Sequence, residues 1–348
     1  MARPKILQSS DRFTRIVVLV WVVAGVIILT TVFRALTAIG LFTFVSEVSP
    51  GACRPIPLAG AGALAYEAKS KTLFIAARDP GTPSAPGAIY ALPDGASRPV
   101  RLSGTPRDFH PTALSIGYNV GGEPALAVLD RKVGGTVAVG LYGVSFDAKG
   151  VSLQYQSTIQ SGLARRGQGI AALGNDRFYL TANPTSSALM DWADRWLVLG
   201  RAYLLFYNGM MFRQAVSGIS DPSSVAVSAD GQKIYVASRA ERRLIAFSRE
   251  EFTGTLTELD SVTLPLRPEQ IGIDANNVLW VAGPARLPEL SGASRVVRVF
   301  LGSDGAPQTQ ETVYAGDGIT AATGVARGEN QLFIGSFRDD KMLACDLK

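Results

Sequence analysis

Short apolar segments separated by turn residues recur six times along the chain. Each unit contains two strand-like segments joined by a turn, and the units begin at Gly62, Pro111, Gly167, Pro222, Pro268 and Gly318. The centres of the second segments lie 45 to 56 residues apart, at Phe74, Leu126, Phe178, Ile234, Leu279 and Leu332. A period of this size, with turns between strands, is typical of four-stranded propeller blades. The pattern predicts an all-β fold, a six-bladed β-propeller over residues 49–348.

The last repeat supplies one strand fewer than a blade needs. It has a third strand at Lys341–Leu347 and no fourth, whereas Cys53–Leu58 precedes the first repeat. This N-terminal segment can complete the last blade, which would close the ring and bring Cys53 beside Cys345. We therefore predict a disulfide in an oxidising compartment, and a free, buried thiol pair is the alternative. A zinc site is excluded because the chain has a single histidine and no Cys-x-x-Cys motif.

A long apolar segment precedes the repeats. Ile16–Phe33 contains no charged residue, and the apolar character continues to Val45 after Arg34. This length crosses a bilayer core of about 30 Å, so we predict a transmembrane helix over 16–45 with the lipid bilayer as a partner. A cleaved signal sequence is the alternative. Basic residues are concentrated in the preceding segment 1–15, which the positive-inside rule places in the cytoplasm: Arg3, Lys5, Arg12 and Arg15. The propeller is then extracytoplasmic.

One segment departs from the strand pattern. Within residues 187–207, five large apolar side chains recur at three- and four-residue spacing: Leu189, Trp192, Trp196, Leu199 and Tyr203. This spacing predicts a helical insertion in the third repeat. Such a helix lies on the membrane, covers one face of the ring as a lid, or packs on the surface of the propeller.

The positive charge is not spread over the predicted propeller. Residues 1–48 contain five basic and two acidic groups, and the remaining 300 residues contain 29 basic and 27 acidic groups. A nucleic-acid-binding face requires clustered basic residues on the folded part. The chain is therefore not expected to bind nucleic acid.

The order of several short motifs resembles that of the paraoxonase/arylesterase family. The resemblance extends over nearly the whole predicted propeller, including both cysteines. The motifs are F-H-P-T (109–112), G-I-A-A-L-G followed by R-F-Y-L-T-A-N (169–183), S-A-D-G-x-x-I-Y-V-A (228–237), I-G-I-D (271–274) and A-C-D-L (344–347). The resemblance implies calcium-dependent hydrolysis of aryl esters and lactones, with two calcium ions in the central channel.

The resemblance also assigns the positions at which the family's site residues would lie. The positions of the calcium ligands correspond to Ala63 and Leu64, Gln168 and Gly169, Ser223, and Glu269 and Gln270. The family's catalytic histidine corresponds to Thr112 and its partner histidine falls near Arg131, whereas His110 aligns with neither. We therefore expect the channel to be faced by Thr112, Arg131, Gln168, Ser223 and Gln270 beside Glu269.

These substitutions leave a degenerate calcium site around Gln168, Ser223, Glu269 and Gln270. Calcium takes six to eight oxygen ligands, usually with several carboxylates, and the ring of strand starts offers only Glu269. We expect no tightly bound calcium, although the resemblance implies that cofactor. Glu269 is the candidate general base if it is desolvated. Alternatively, Glu269 and Gln168 hydrogen-bond across the channel and fill it.

Three functions follow from these observations. The first is a membrane-anchored hydrolase of a small apolar ester or lactone, as the resemblance implies. The second is a non-catalytic binding or accessory protein of a membrane complex, with a membrane-protein partner, because most metal ligands are replaced. The third is a different propeller enzyme that uses Glu269 with channel amides. Propellers carry unrelated functions, so the fold alone does not choose among them.

Overall fold

The computed structural model describes residues 6–38, 46–82, 84–131, 137–147, 150–164, 166–184, 189–190, 197–286 and 292–347. The chain divides into two compact units, Met1–Phe42 and Thr43–Lys348. The first unit contains the apolar segment, and the second contains all the described strands.

The first unit contains one helix, α1 (Ile6–Ala38). Its segment Thr14–Phe33 has a mean hydropathy of 2.9, which makes the helix long and apolar enough to cross a membrane; an N-terminal signal sequence has the same properties. The hydroxyls of Thr30 and Thr31 donate to the carbonyls of Val26 and Ile27, so these polar groups are satisfied within the helix. The helix begins ten residues before the predicted span, and residues 39–45 of that span lie outside the described residues.

The second unit is a six-bladed β-propeller, as the repeats predicted. Its first strand, β1 (Cys53–Pro57), belongs to the last blade. Blade 1 contains β2 (Ala61–Glu67), β3 (Thr72–Ala77), β4 (Ala88–Pro93) and β5 (Val100–Arg101). Blade 2 contains β6 (Pro111–Tyr118), β7 (Pro124–Arg131), β8 (Val137–Asp147) and β9 (Gly150–Gln160). Blade 3 contains β10 (Ile170–Gly174), β11 (Arg177–Ala182), β12 (Ala202–Tyr207) and β13 (Phe212–Ile219).

The remaining three blades follow in the same order. Blade 4 contains β14 (Pro222–Val227), β15 (Lys233–Ser238), β16 (Arg243–Arg249) and β17 (Leu256–Thr263). Blade 5 contains β18 (Gln270–Ile273), β19 (Leu279–Pro284), β20 (Ser294–Leu301) and β21 (Pro307–Gly316). Blade 6 contains β22 (Gly324–Arg327), β23 (Gln331–Gly335) and β24 (Lys341–Asp346), completed by β1. Neighbouring strands in every blade are antiparallel, and the first strand of each blade is the innermost.

The core consists of the interfaces between neighbouring blades. Alternate residues of one strand point to opposite faces of its sheet, so a central strand of a blade can contribute to two interfaces. In β3, Phe74 and Ala76 pack in the cluster shared with blade 2, whereas Leu73 and Ile75 pack in the cluster shared with blade 6. Six such clusters follow one another around the ring. This two-sided burial explains why the second strands appear in the sequence as continuous apolar runs.

The ring closes between the N-terminal strand β1 and the C-terminal strand β24, as predicted. The two strands pair antiparallel, with Cys53 opposite Cys345. The two cysteines form a disulfide, so the prediction of a bonded pair is confirmed. Before β1, Val48 also pairs with Ala315 of blade 5 through two backbone hydrogen bonds of 2.9 and 2.8 Å. The entry segment is therefore attached to two adjacent blades.

The helical insertion predicted for 187–207 is wrong in its last part. Residues 202–207 form β12, which is paired with β11 on one side and β13 on the other. Tyr203 accordingly lies in a strand, and its spacing from Leu199 was coincidental. Residues 189–190 and 197 are helical, whereas Trp192 and Trp196 lie outside the described residues.

Candidate functional site

A cavity of about 170 Å³ lies on the axis of the propeller and is lined by the innermost strands. Five residues that the sequence placed here do line it: Thr112, Gln168, Ser223, Glu269 and Gln270. The apolar Ala63 and Leu64, at the positions of two family ligands, also line it. Arg131 ends β7 and is not among the residues that line the cavity in the described part of the chain.

The side chain of Arg239 joins the polar residues on one side of this channel. Arg239 directly follows β15, and its Nη1 lies 3.4 Å from Oε1 of Glu269. Its Nε lies 3.5 Å from Oδ2 of Asp221, and its Nη2 donates to Oε1 of Gln168. Gln168 and Glu269 are therefore both bound to one guanidinium group, that of Arg239.

The two neighbouring carboxylates keep Arg239 charged. Burial by itself lowers the pKa of this guanidinium, but the charges of Glu269 and Asp221 raise it, and the net shift is upward. The side chains of Arg239 and Glu269 are 18% and 20% exposed, so water screens their pairing only in part. A permanent positive charge that belongs to the protein thus lies beside the channel residues Glu269 and Gln168.

Gln168 is positioned by Thr181, a buried residue of the neighbouring strand β11. The hydroxyl of Thr181 accepts hydrogen bonds of 3.0 Å from the backbone amides of both Gln168 and Gly169. A Cβ atom at Gly169 would lie 2.6 Å from the Cα of Ser224 in the next blade, which is closer than real side chains allow. Only glycine fits here, so the backbone itself excludes the acidic ligand that the family resemblance implies.

Gln270 links three blades across the channel. Its Oε1 accepts hydrogen bonds from the backbone amides of Leu64 at 3.1 Å and Val325 at 3.2 Å. Its Nε2 donates to the carbonyl of Leu64 at 2.6 Å. The amide oxygen of Gln270 is consequently occupied by backbone donors of blades 1 and 6. Gln270 therefore ties blades 1, 5 and 6 together beside the channel, and its oxygen is already used in these hydrogen bonds.

Ser223 and Thr112 are also bound to the backbone. The Ser223 hydroxyl donates to the carbonyl of Pro268 at 2.6 Å, and the Thr112 hydroxyl donates to the carbonyl of Leu129 at 3.3 Å. Among the residues that the structure describes, neither hydroxyl contacts an acid–base partner. Thr112 therefore does not take the place of the family's catalytic histidine there, because its hydroxyl bonds to a backbone carbonyl.

The oxygen atoms of this channel do not suit calcium. Glu269 is neutralised by Arg239, the Gln168 oxygen accepts from the same guanidinium, and the Gln270 oxygen accepts from two amides. In the described part of the chain, no cluster of three His, Cys, Asp or Glu side chains could hold a metal. A hard divalent cation needs several free, charged oxygens. The expectation of weak or absent calcium binding remains a prediction, and these contacts are its physical reason.

His110 lies outside the channel. Its side chain is buried, its Nε2 lies 2.9 Å from Oδ1 of Asp108, and its backbone amide donates to Asp130 at 2.8 Å. It is not among the residues that line the central cavity. Through these contacts His110 holds the loop before β6 and takes no part in the channel lining.

The sequence analysis missed Arg239 and Asp221. Both lie at the ends of blades, whereas the sequence analysis looked for site residues at the starts of the inner strands. A signal was nevertheless present, because an arginine stands at the end of the second strand in three blades, at Arg78, Arg131 and Arg239. A comparison of the repeats at that position would have shown that these three residues lie at equivalent positions in their blades.

Two sequence comparisons match most of this chain or a large part of it. The sequence profile of the family described as Arylesterase matches residues 81–347. The serum paraoxonase/lactonase 3 of Homo sapiens is 27% identical over 213 residues, which cover 58% of this chain and 59% of that protein. The chain thus aligns with about three fifths of the human relative's length.

Comparison with solved structures agrees on the fold. Regucalcin from Agrobacterium tumefaciens, described as a calcium-binding protein, is 15% identical with a TM-score of 0.53, and the match covers 87% of this chain and 96% of the other. A gluconolactonase from Xanthomonas campestris is 14% identical with a TM-score of 0.51, covering 88% of this chain and 99% of the other. Such low identities establish a shared propeller fold and no more.

Proposed function

This chain belongs to the arylesterase family, and from that membership we propose that it is a membrane-anchored hydrolase of small carboxylic esters or lactones. The proposal differs from the family's expected chemistry in its cation, because Arg239 supplies positive charge where the resemblance implies calcium. The observation that carries it is the ion pair of Arg239 with Glu269, a residue that lines the central channel. The name of the human relative, a lactonase, supports the same substrate class.

In the proposed reaction, Glu269 accepts a proton from a water molecule whose oxygen attacks the carbonyl carbon of the substrate. The carbonyl oxygen then carries a negative charge, and the Arg239 guanidinium stabilises it electrostatically. When the tetrahedral intermediate collapses, the carbon–oxygen bond to the leaving group breaks, and that oxygen takes the proton back from Glu269. The products are a carboxylic acid and an alcohol, which remain one molecule when the substrate is a lactone.

Gln168 orients the cation in this scheme. Its side-chain oxygen accepts from the Nη2 of Arg239, while its backbone is held by Thr181. The guanidinium is therefore fixed on two sides, by Gln168 and by the carboxylates. A fixed donor stabilises developing charge without the reorganisation that a mobile side chain would need.

The membrane anchor is the second part of the proposal. The apolar part of α1, Thr14–Phe33, is the proposed single span, and the basic residues before it favour a cytoplasmic N-terminus. The disulfide between Cys53 and Cys345 agrees with an oxidising compartment for the propeller.

The decisive experiment measures hydrolysis of phenyl acetate and γ-butyrolactone by the full chain in detergent, with and without EDTA. We expect activity that survives chelation and falls by about a hundredfold or more in Glu269→Gln. The matched control is Glu258→Gln, because Glu258 lies in the outer strand β17 with a side chain that is 53% exposed.

Two outcomes contradict the proposal in different ways. Activity that disappears in EDTA and returns with calcium would assign the chemistry to a bound metal. Absence of hydrolysis with every ester and lactone, in a chain whose melting curve shows it folded, would favour the non-catalytic accessory protein.

A further inference from the structure

Three arginines occupy equivalent positions at one end of the propeller. Arg78 follows β3, Arg131 ends β7 and Arg239 follows β15. In each blade the second strand ends where the inner strand begins, as the pairings Ala61–Ala77, Pro111–Asp130 and Pro222–Ser238 show. We call Arg78, Arg131 and Arg239 the basic rim. It lies at the end of the ring where Glu269 and Gln168 precede their strands.

Two members of the basic rim converge on one short segment. Nη2 of Arg131 donates to the carbonyl of Gly167 at 3.1 Å, and Nη2 of Arg239 donates to the side chain of Gln168. These contacts place two guanidinium groups beside consecutive residues. Burial lowers the pKa of Arg131, and the charges of Arg239, Arg78 and Arg166 lower it further. Arg131 therefore lies within the electrostatic influence of these three positive charges.

The charges of the basic rim are only partly balanced. Glu269 and Asp221 both pair with Arg239. Arg78 and Arg131, by contrast, form no ion pair with a carboxylate in the part of the chain that the structure describes. The side chain of Arg131 is partly buried and partly in contact with solvent, and Gly167 occupies only one of the five N–H groups of its guanidinium. The rim thus has an excess of positive charge, and Arg131 has N–H groups that Gly167 does not occupy.

We propose that the basic rim binds the carboxylate of a small organic acid, with Arg131 as the main donor and the acid's carbon chain in the channel below. A guanidinium fork matches the two oxygens of a planar carboxylate. The apolar Ala63, Leu64 and Ile116 line the channel beside the polar groups and suit a short carbon chain. Glu269 disfavours dianions because it adds a negative charge nearby.

This proposal deepens the proposed function and, in naming the ligand, rests on it. Opening a lactone converts a neutral ring into a hydroxy acid with one carboxylate. The basic rim would bind this product and not the substrate, because only the product carries the charge. A small hydroxycarboxylate is therefore the ligand class that the site takes.

The test compares binding of 4-hydroxybutyrate with that of neutral γ-butyrolactone and of inorganic phosphate, by calorimetry on the full chain in detergent. We expect 4-hydroxybutyrate to bind, and Arg131→Gln to weaken its binding at least tenfold. Arg78→Gln should weaken it less, because Arg78 is not seen to contact the Gly167–Gln168 segment. The control is Arg101→Gln, an exposed arginine in the outermost strand of blade 1, which should bind as the parent chain does.

Each other outcome overturns the proposal. If 4-hydroxybutyrate does not bind, or binds equally well to a folded Arg131→Gln variant, the rim is not a carboxylate site. If phosphate binds more tightly than the acid, the rim is a general anion site. None of these results removes the proposed function, since chelator-resistant hydrolysis of neutral phenyl acetate is measured without any carboxylate ligand.

Discussion

The guanidinium of Arg239 and the carboxylate of Glu269, which belong to neighbouring blades, form an ion pair of 3.4 Å, and Glu269 lines the central channel. The pair connects the end of one second strand to the start of the next inner strand. It therefore contributes to stability as well as to the proposed chemistry, and the two contributions can be measured separately.

Arg239→Gln is expected to lower the free energy of unfolding by about 2–4 kcal/mol, because it removes the positive charge that pairs with both Glu269 and Asp221 in a mostly buried site. Urea denaturation checks this value. The double variant Arg239→Gln/Glu269→Gln should regain part of the loss, since one of the two negative charges beside the missing guanidinium is then removed. A double variant that is less stable than the single one would argue against this explanation.

Chelation is expected to leave the melting temperature unchanged. The oxygens of Glu269, Gln168 and Gln270 are already bonded to protein donors, so calcium has no free carboxylate to bind in the channel. Thermal melts in EDTA and in excess calcium, together with elemental analysis of the purified chain, check this expectation. A stoichiometric calcium ion, or a large drop of the melting temperature in EDTA, would show that the channel rearranges around a metal.

Removal of the disulfide with Cys53→Ser/Cys345→Ser is expected to cost about 4 kcal/mol of stability. The cystine closes a loop with a sequence separation of 292 residues, and the chain-entropy model gives long loops the largest effect. Urea denaturation of the double variant against the oxidised parent measures it. An unchanged midpoint would mean that the pairing of β1 with β24 closes the ring without covalent help.

Glu67 is expected to make the stability depend on pH in acid. Burial raises the pKa of this carboxyl, but hydrogen bonds from Ser70, Tyr118 and Lys69 lower it more, so its pKa in the folded protein lies below the ordinary value of a glutamate. A depressed pKa adds stability that is present above about pH 4.5 and is lost as the pH falls through the folded value.

Urea denaturation between pH 3 and pH 6 tests the role of Glu67. In the Glu67→Gln variant, the free energy of unfolding should fall less steeply as the pH is lowered. Tyr118→Phe should have the same effect in part, because it removes the 2.7 Å hydrogen bond from the phenol to Glu67. A Glu67→Gln profile as steep as that of the parent would assign the acid dependence to other groups.

The propeller is expected to face outward from the cytoplasm. Protease added to spheroplasts that express the full chain should digest the propeller or release it, and lysis should not be required. Complete protection until the membrane is broken would reverse the predicted orientation.

The ring architecture was accessible from sequence because each blade repeats the same apolar strand pair. Both cysteines could be placed from the missing fourth strand alone, and β1 opposite β24 confirms that argument. The insertion was less accessible, since the apolar residues of β12 also fit a helical spacing when taken with Leu199. Short apolar runs do not distinguish a strand from a buried helix turn by periodicity.

Only some of the residues that form the channel site could be predicted from the sequence. Glu269, Gln168 and Gln270 follow from their place at the start of inner strands. Arg239 does not, because its side chain enters the site from the second strand of another blade. The close approach of Ser224 to Gly169 depends equally on how two blades pack. Contacts of this kind come from three-dimensional packing, which a list of motif positions does not contain.

The covalent closure of the last blade also determines how mechanical tension would travel through the molecule. A pull on the chain from α1 arrives at Val48 and then at Cys53, and the disulfide transfers it to Cys345 near the other end of the chain. The strands between the two cysteines lie inside the closed loop and remain unloaded until the cystine is reduced. Force spectroscopy between the two termini should therefore give a short contour length in the oxidised protein and a long one after reduction, and equal lengths would refute this load path.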